Sequence, residues 1–294
     1  MIRIITVTYQ NLKLLDKLTE SLEKHVKVPY EFVIWDNSPS EVHHEFKKNS
    51  ILAPHIHFLG ESRNLGFAKG INRACEHSTS SDVESLLLLN PDAFLASDID
   101  LNVIQQLSAQ PGIIGLQVFN DSQKTIRQNS ARSFPNFLTS ITGREGLLTR
   151  LFPNNPWSKK YLRSDLSSSN FHKEQQVDWV SGCALFCSKK IWEKLNGFDE
   201  QFFLYVEDVD LGKKAQLLRI PVFYLPIVDV IHFSRTLSGK RPWKSDFHHH
   251  FGMLQYWWKW SRLPEKVLLP AVFLGISLRY AFRFFIGSKG RTST

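Results

Sequence analysis

The sequence predicts an α/β protein with a mostly parallel sheet and helices on both of its faces. Short apolar, β-branched segments alternate with segments whose apolar residues recur at helical spacing. This alternation is typical of a parallel sheet. Polar turns follow the ends of four predicted strands, at residues 8–11, 36–38, 63–66 and 90–92. Because ligands of such sheets bind beyond the carboxyl ends of the strands, we expect these turns to line one rim.

The alternation predicts the individual elements in chain order. The predicted strands of the first half are Ile2–Thr8, Tyr30–Trp35, Ile56–Leu59, Glu84–Leu89 and Ile113–Phe119. The predicted helices between them are Leu12–Val26, Gly66–Cys75 and Ile99–Gln106. Prolines and a serine run interrupt the pattern from Asp121 to Gln176, which predicts a long insertion beside the site, a candidate acceptor loop. The elements predicted beyond it are an ordered segment Val177–Phe186, a short helix Ile191–Leu195 and strands Pro221–Leu225 and Val228–His232.

Length, cysteine count and charge bound the class of protein. The 294 residues are enough for one large domain or two small ones. Three cysteines form no disulfide framework, which indicates a reducing compartment. The net charge of +8 is concentrated at the C-terminal end, where 11 Lys and Arg stand against two acidic residues from His232 onward. We therefore expect a neutral body, residues 1–240, and a basic aromatic tail, residues 241–294.

The tail mixes aromatic, apolar and basic residues. Its uncharged run Val267–Leu278 has 12 residues, fewer than the roughly 20 that a membrane-spanning helix needs. This composition is typical of helices that lie in a membrane interface, so we expect a peripheral contact with a membrane surface. The alternatives are amphipathic helices that cover the body or form a homodimer. No nucleic-acid-binding motif accompanies the charge, so no nucleic-acid partner is expected.

Three carboxylates stand within four positions behind an aromatic run, namely Glu207, Asp208 and Asp210. A helix that begins here would have Leu211, Ala215 and Leu218 on one face. Acidic residues are common in a first helical turn, where free N–H groups favour negative charge. The other interpretation is that one of the carboxylates is a general base at the rim of a site.

Two polar turns and a pair of glycines are further candidates for a site. The turn at residues 90–92, Asn-Pro-Asp, follows the apolar strand 84–89. A carboxylate in this place can hold a hard divalent cation that grips phosphate oxygens, although a simple turn is the alternative. Asp36 ends another strand and is either a contact to a base or ribose or only a turn residue. Gly66 and Gly70 open a predicted helix at a spacing suited to phosphate approach.

Taken in chain order, these motifs resemble those of family 2 glycosyltransferases, and most closely their bacterial rhamnosyltransferase branch. The motifs are Val7–Asn11, Asp36–Ser38, Asn64–Asn72, Asn90–Asp92, Gly182, Gly197–Asp199, Glu207–Leu211 and His232. The resemblance covers about residues 1–240, and the ordered set carries it because no single motif is specific. It implies a GT-A fold and an inverting transfer of a sugar from a nucleotide-sugar.

The resemblance also implies roles on the donor side. The implied donor-binding residues are Thr8, Tyr9, Asp36, Asn64, Lys69, Asn90 and Asp92. Asp92 would hold Mg²⁺ or Mn²⁺ against the diphosphate, with His232 as a second metal ligand. The neutral Asn90 replaces the usual first aspartate of this element, which weakens cation binding.

On the acceptor side, the resemblance implies that Asp208 is the base and that Glu207 orients or contacts the acceptor, while Asp210 caps or braces the helix. Trp179 and Tyr205 would stack on an acceptor sugar, with core packing as the alternative. The expected reaction moves L-rhamnose from dTDP-rhamnose to a polyprenyl-diphosphate-linked saccharide of an O-antigen-like surface polysaccharide. It would take place at the cytoplasmic face of the bacterial inner membrane. The alternatives are a galactofuranosyl-, mannosyl- or N-acetylglucosaminyltransferase, or a non-catalytic sugar-nucleotide-binding subunit of an assembly complex.

Overall fold

A computed structural model of the chain describes residues 1–11, 13–41, 53–77, 82–135, 159, 161, 163, 174–233 and 243–277. Most of the predicted acceptor loop and the basic end of the tail, residues 278–294, lie outside the described residues. The strands are β1 (Ile2–Thr8), β2 (Tyr30–Asp36), β3 (Ile56–Gly60), β4 (Ser85–Leu89), β5 (Ala93–Leu95), β6 (Ile113–Phe119), β7 (Ala131–Arg132), β8 (Gln175–Gln176), β9 (Trp179–Val180), β10 (Ala184–Ser188) and β11 (Val222–His232). The helices are α1 (Lys13–His25), α2 (Phe67–Glu76), α3 (Leu101–Ala109), α4 (Lys189–Lys194), α5 (Glu207–Leu217), α6 (Trp243–Trp260) and α7 (Leu263–Lys266), followed by a helical stretch at residues 269–277.

Nine of the described strands form one mixed sheet in the order β3-β2-β1-β4-β10-β6-β11-β5, with β8 paired to β11. The strand β1 runs parallel to both β2 and β4, and β11 runs parallel to β6. The strand β10 is antiparallel to both of its neighbours, β4 and β6. The start of β10 therefore lies at the edge where the parallel strands end. This arrangement confirms the predicted α/β fold with its mostly parallel sheet.

The central strands are apolar on both faces because helices cover both faces of the sheet. Every residue of β1, β4 and β6 is buried. On one face, α1 contributes Leu15, Leu18 and Leu22, which recur at the helical spacing that predicted the helix. On the other face, α2 contributes Ala68 and Ile71 to a second buried cluster. The two clusters fix the sheet from both sides and leave its edges to the loops.

Two local expectations were wrong. Residues 222–232 form one strand where two were expected, because the pairing of β11 with β6 resumes after a register shift between Tyr224 and Asp229. Pro226 lies in this irregular stretch, where its missing backbone N–H leaves no gap in a regular ladder. Leu218, expected on the apolar face of the acidic helix, follows the end of α5 and is 44% exposed.

The tail helix α6 packs one of its faces against the body. Tyr256 and Trp257 form a buried cluster with Phe202, Val206 and Val209 around the start of α5. The opposite face of α6 carries exposed aromatic side chains, namely Phe247, Phe251 and Trp258. No helix among the described residues is long and apolar enough to cross a membrane.

Candidate active site

The carboxyl ends of the parallel strands meet along one edge of the sheet. The last residue of β1, Thr8, is in register with Asp36, the last residue of β2. The strand β4 ends immediately before the turn Asn90–Asp92, and β11 ends at His232. The turn before β10 reaches the same edge because β10 runs in the opposite direction. The polar turns therefore line one rim of the sheet.

The turn Ser181–Cys183 connects separate parts of this rim. The backbone N–H of Gly182 donates a hydrogen bond to Asp208 Oδ2 across 3.2 Å. The carbonyl oxygen of Cys183 accepts a hydrogen bond from the backbone N–H of Asn90 across 3.0 Å. One short turn thus joins the start of α5 to the turn that follows β4.

The two acids at the start of α5 lie in different surroundings. Glu207 is 4% exposed, and its Oε2 has no hydrogen-bond partner among the described residues. Burial, with the charge of the neighbouring Asp208 carboxylate, raises the pKa of Glu207 well above its usual value. Asp208 is partly exposed, and burial also raises its pKa, although the Gly182 N–H and the positive charge of Arg132 act to lower it. Asp208 is therefore the acid that ionises more readily.

Asp92 and His232 face each other at the ends of β4 and β11. His232 Nε2 lies 3.1 Å from Asp92 Oδ1, and His232 Nδ1 lies 2.8 Å from Gln128 Oε1. Both partners are acceptors, so both ring nitrogens donate in the charged form of the imidazole. Burial lowers the pKa of His232, but hydrogen bonds to Asp92 and Cys183 outweigh it and raise the pKa to about 10.

The chemistry of this pair fits a divalent cation only in part. One carboxylate oxygen and one imidazole nitrogen converge at 3.1 Å, and Asn90 lies in the same turn as Asp92. No cluster of three or more His, Cys, Asp or Glu ligands occurs among the described residues. A cation held here would need most of its remaining ligands from a diphosphate and water, as is usual for Mg²⁺ beside phosphates. Its binding would also displace the proton between Asp92 and His232.

The residues expected to bind the nucleotide lie at the ends of β1 and β2, at different depths. Tyr9 is exposed at the rim, whereas Thr8 and Asp36 are buried beneath it. Thr8 Oγ1 has no hydrogen-bond partner among the described residues. Asp36 Oδ1 accepts a hydrogen bond from the backbone N–H of Ser38 across 3.0 Å. A ligand that reached below Tyr9 would meet an unused hydroxyl group beside this turn.

The start of α2, whose glycine spacing suggested an approach to phosphate, packs closely against the loop that precedes α5. The backbone N–H of Phe67 donates to the carbonyl oxygen of Phe203 across 2.7 Å. A Cβ on Gly66 would lie 2.4 Å from the same oxygen, and the φ of Gly66 is +85°. Only glycine therefore fits this close approach. The N–H of Phe67 is therefore paired with a protein carbonyl, and a phosphate bound there would have to displace this contact.

Three polar residues of this motif also contact protein groups. Lys69 Nζ lies 3.1 Å from Glu200 Oε2, so a contact with a nucleotide would require this ion pair to open. Asn72 accepts from the backbone N–H of Phe198 and donates to the carbonyl of the same residue, both across 2.9 Å. Asn64 is exposed, and its Oδ1 accepts from the N–H of Gly66. Much of this motif thus fixes α2 against the loop that precedes α5.

The structure separates the two aromatic residues expected to stack on an acceptor. Trp179 is 4% exposed, and its Nε1 donates to the carbonyl of Ser133 across 2.8 Å. Its ring belongs to the core, which favours the packing alternative over sugar stacking. Tyr205 is half-buried, and its hydroxyl lies 2.7 Å from Ser245 Oγ on α6. The tyrosine is thus engaged with the tail helix.

Arg132 is a residue of the site that the sequence did not single out. It lies on β7, opposite Trp179 on β9, and its guanidinium lies 5.2 Å from the centre of that ring. Its positive charge acts on the Asp208 carboxylate. The sequence signal was limited to basic residues scattered through an irregular segment, which do not reveal which of them faces the rim.

Comparisons with known proteins extend over most of the chain. It is 24% identical to the N-acetylglucosaminyl-diphospho-decaprenol L-rhamnosyltransferase of Mycobacterium tuberculosis, over 95% of each chain. It is 23% identical to the rhamnosyltransferase WbbL of Escherichia coli strain K12, over 80% of this chain and 84% of that one.

Two solved structures show the same fold at low sequence identity. The structure of GalNAc-T7 with UDP, GalNAc and Mn²⁺ is 14% identical in sequence, with a TM-score of 0.57. The match covers 79% of this chain and 43% of that one. The mannosyltransferase PcManGT from Pyrobaculum calidifontis, with GDP-Man and Mn²⁺, is 16% identical with a TM-score of 0.50, over 97% of this chain and 82% of that one. These likenesses support a GT-A-like fold.

A family model described as glycosyl transferase family 2 matches residues 3–167. This match spans more than half of the chain and includes the ends of β1, β2 and β4. The chain therefore belongs to glycosyl transferase family 2 and is a glycosyltransferase.

Proposed function

We propose that this glycosyltransferase moves L-rhamnose from dTDP-rhamnose to a saccharide carried on a polyprenyl diphosphate, with inversion at the anomeric carbon. The proposed sugar is supported by the names of two relatives, which are both rhamnosyltransferases. The proposed lipid-linked acceptor is supported by the name of the first of them. The proposed chemistry is carried by one observation, the position of the Asp208 carboxylate at the rim of the sheet, where the Gly182 N–H donates to it. The product would be a lengthened lipid-linked saccharide for a surface polysaccharide.

In the proposed reaction, Asp208 takes the proton from an acceptor hydroxyl as its oxygen attacks the anomeric carbon. The bond from that carbon to the diphosphate breaks on the opposite face, and dTDP leaves. A single base is enough for inversion. The backbone N–H of Gly182 donates to Asp208 Oδ2 and that of Val209 donates to Asp208 Oδ1 across 2.8 Å, so both oxygens are held in place, and the remaining lone pairs are proposed to receive the proton. The buried Glu207 carboxyl is the group proposed to orient the acceptor hydroxyl by hydrogen bonding.

The donor diphosphate is proposed to lie beside Asp92, near the end of β4. Asp92 and His232 would hold a Mg²⁺ or Mn²⁺ ion there, and this ion would offset the charge that develops on the leaving diphosphate. Asn90 supplies a neutral oxygen from the same turn. Thr8, Tyr9 and Asp36 would surround the nucleoside at the ends of β1 and β2, while Asn64 and Lys69 would lie at its edge.

The exposed face of α6 is proposed to rest on the membrane surface that carries the acceptor. Phe247, Phe251 and Trp258 share this face and are exposed. Lys266 Nζ lies 5.1 Å from the centre of the Trp258 ring, so positive charge accompanies the aromatic residues. Basic residues continue to the C-terminus in the sequence. An apolar face bordered by positive charge suits the interface of an anionic bilayer, and a peripheral position at the cytoplasmic face would bring the rim to a lipid-linked acceptor.

A panel of nucleotide-sugars tests the donor. Thermal unfolding of the purified protein would be measured with dTDP-rhamnose, GDP-mannose, UDP-N-acetylglucosamine and UDP-galactofuranose, each with and without Mn²⁺. A ligand of the native state raises the unfolding temperature, so we expect the largest increase with dTDP-rhamnose and Mn²⁺. Transfer of labelled rhamnose to an N-acetylglucosaminyl-diphospho-lipid is then expected. A larger shift with another donor would reject rhamnose, and binding of a donor without any transfer would favour a non-catalytic subunit.

A further inference from the structure

The turn that leads into the acidic helix has an unusual backbone. Tyr205 and Val206, directly before Glu207, have φ values of +68° and +72°. Side chains rarely adopt this left-handed region, and a β-branched residue such as valine is an outlier there. Such conformations persist where the surrounding structure holds them, and they cluster at functional sites. The direction in which α5 leaves this turn decides where Asp208 points.

The tail helix α6 contacts this turn and α5 at three places along one stripe. Ser245 Oγ lies 2.7 Å from the hydroxyl of Tyr205. A Cβ on Gly252 would lie 3.2 Å from Val206 Cγ2 and 3.4 Å from the Tyr205 carbonyl oxygen. Lys259 Nζ lies 2.7 Å from Asp210 Oδ1. The three residues of α6 are seven positions apart, which is about two helical turns, so they lie on the same side of the helix.

The Lys259 contact anchors the end of the stripe in a buried position. Asp210 is 0% exposed, and its Oδ1 also accepts from Trp260 Nε1 across 2.8 Å. Lys259 Nζ also lies 2.6 Å from Asp199 Oδ2, in the loop that precedes the turn. A buried carboxylate that loses its cation is strongly destabilised. Lys259 therefore fixes α5 and the preceding loop to α6 at a single point.

The other side of the turn is held as well. The Phe203 carbonyl accepts the N–H of Phe67 at the start of α2. The turn is thus held between α2 and α6.

We propose that Ser245, Gly252 and Lys259 of α6 are positioning residues that hold the left-handed turn at Tyr205–Val206 and thereby aim Asp208 at the acceptor. This proposal rests on the proposed role of Asp208 as the base. It gives the inner face of α6 a role in the reaction, whereas its outer face is the one proposed to meet the lipid surface. Loss of the contacts that these three residues make relaxes the turn and rotates the start of α5 away from Gly182.

The substitution Lys259→Met tests this positioning role. We expect kcat for rhamnosyl transfer to a water-soluble acceptor analogue to fall about 10- to 100-fold, the effect of a small misplacement of a catalytic group. The affinity for dTDP-rhamnose, measured by calorimetry, is expected to change less than twofold, since the proposed donor contacts lie at the ends of β1, β2 and β4. Lys259→Arg keeps the charge between the two carboxylates and is expected to recover most of kcat.

The pH profile separates positioning from simple loss of stability. Glu207 and Arg132 are the charged or titratable side chains that act on Asp208. Its ionised form is favoured by the N–H of Val209 on the same helix and by the N–H of Gly182, which comes from outside α5. If the start of α5 moves, Asp208 loses this hydrogen bond, and the acid limb of kcat/KM shifts to higher pH. Leu22→Ala in the core under α1 serves as the control, since it destabilises the fold but leaves the limb in place.

Three results would overturn the proposal. One is a folded Lys259→Met protein with kcat and acid limb like those of the native protein, and another is an equal shift of the limb in Leu22→Ala. If Lys259→Met does not fold, the variant Gly252→Ala is used instead, because its added methyl group needs only a few tenths of an ångström of adjustment at Val206. The third overturning result is a Gly252→Ala protein whose kcat and acid limb equal those of the native protein. Full activity of Asp208→Asn would instead show that the proposed base is wrong.

Discussion

Glu207 and Asp208 are neighbours in the sequence, yet their carboxylates lie in opposite surroundings. Glu207 is buried with an oxygen that has no partner among the described residues, whereas Asp208 is partly exposed and accepts the N–H of Gly182 across 3.2 Å. Both pKa values are raised by burial, that of Glu207 by far the more. Environments that separate the pKa values of two adjacent acids assign them different roles. Glu207, whose pKa is raised further, is the better suited of the two to donate a hydrogen bond, and Asp208 is the better suited to accept a proton.

The first prediction concerns the base. Asp208→Asn keeps the shape of the side chain but removes its capacity to take a proton, so transfer is expected to fall by about 100-fold or more. Donor binding, measured by calorimetry with dTDP-rhamnose, is expected to remain. Asp98→Asn, an exposed carboxylate far from the rim, is the matched control and should transfer normally. Near-native turnover of Asp208→Asn would remove this residue from the mechanism.

The second prediction concerns the pH dependence of transfer. The reaction needs ionised Asp208, so activity should decrease as pH falls through its pKa. Because burial raises that pKa, the acid limb of kcat/KM should lie above the value of about 3.9 that is usual for aspartate. Arg132→Gln removes a nearby positive charge and is expected to move the limb to higher pH, whereas Arg132→Lys keeps the charge and should not. A limb that is identical in the two variants would contradict the electrostatic role of Arg132.

The third prediction concerns stability. The folded protein holds a proton on Glu207 that the unfolded chain releases above a pKa of about 4.3. Between that value and the raised folded pKa, the free energy of unfolding therefore decreases as pH rises, by up to about 1.4 kcal/mol per pH unit from this group. Glu207→Gln lacks this loss. We expect the variant to gain stability relative to the native protein in urea titrations as the pH rises above about 4.3, and a constant difference would show that Glu207 is ionised in the fold.

The sequence predicted the central strands to within two residues because each is a short apolar run that is buried on both faces, as in β1 and β6. Such a run does not name its neighbours, so the antiparallel insertion of β10 between β4 and β6 was not predicted. The position of the polar turns at one rim was predicted from the parallel sheet alone, because the carboxyl ends of parallel strands meet at one edge. The partners of Asp210 were beyond sequence reasoning, since Lys259 and Trp260 lie on another helix some 50 residues away. The core position of Trp179 also depends on contacts that no local pattern encodes.

The fourth prediction concerns the proposed cation. Asp92→Asn leaves His232 without a carboxylate partner and removes a proposed metal ligand, so the affinity for Mn²⁺ is expected to fall about 100-fold. The additional thermal stabilisation by dTDP-rhamnose that depends on Mn²⁺ should then be lost. The stabilisation by donor without metal should change little. Asp229→Asn is the control, because the Asp229 carboxylate lies on β11 with His232 but pairs with Lys124 across 2.7 Å. An undiminished Mn²⁺ effect in Asp92→Asn would show that the cation is held elsewhere or is not used.

The last prediction concerns the outer face of α6. Phe251 and Trp258 are 47% and 66% exposed, so Phe251→Ser and Trp258→Ser should scarcely alter the unfolding temperature. Each change removes an apolar side chain that would enter a bilayer interface, and is expected to weaken sedimentation with phosphatidylglycerol-containing vesicles on the order of tenfold. Leu217→Ser is the matched control, since Leu217 is 65% exposed on α5 and away from this face. Substitution is a cleaner test than deletion of the tail, because deletion would also remove Tyr256 and Trp257 from the buried cluster at the start of α5. Equal sedimentation of all the variants would show that this face does not meet the lipid, and would leave a protein partner or a second copy of the chain as its occupant.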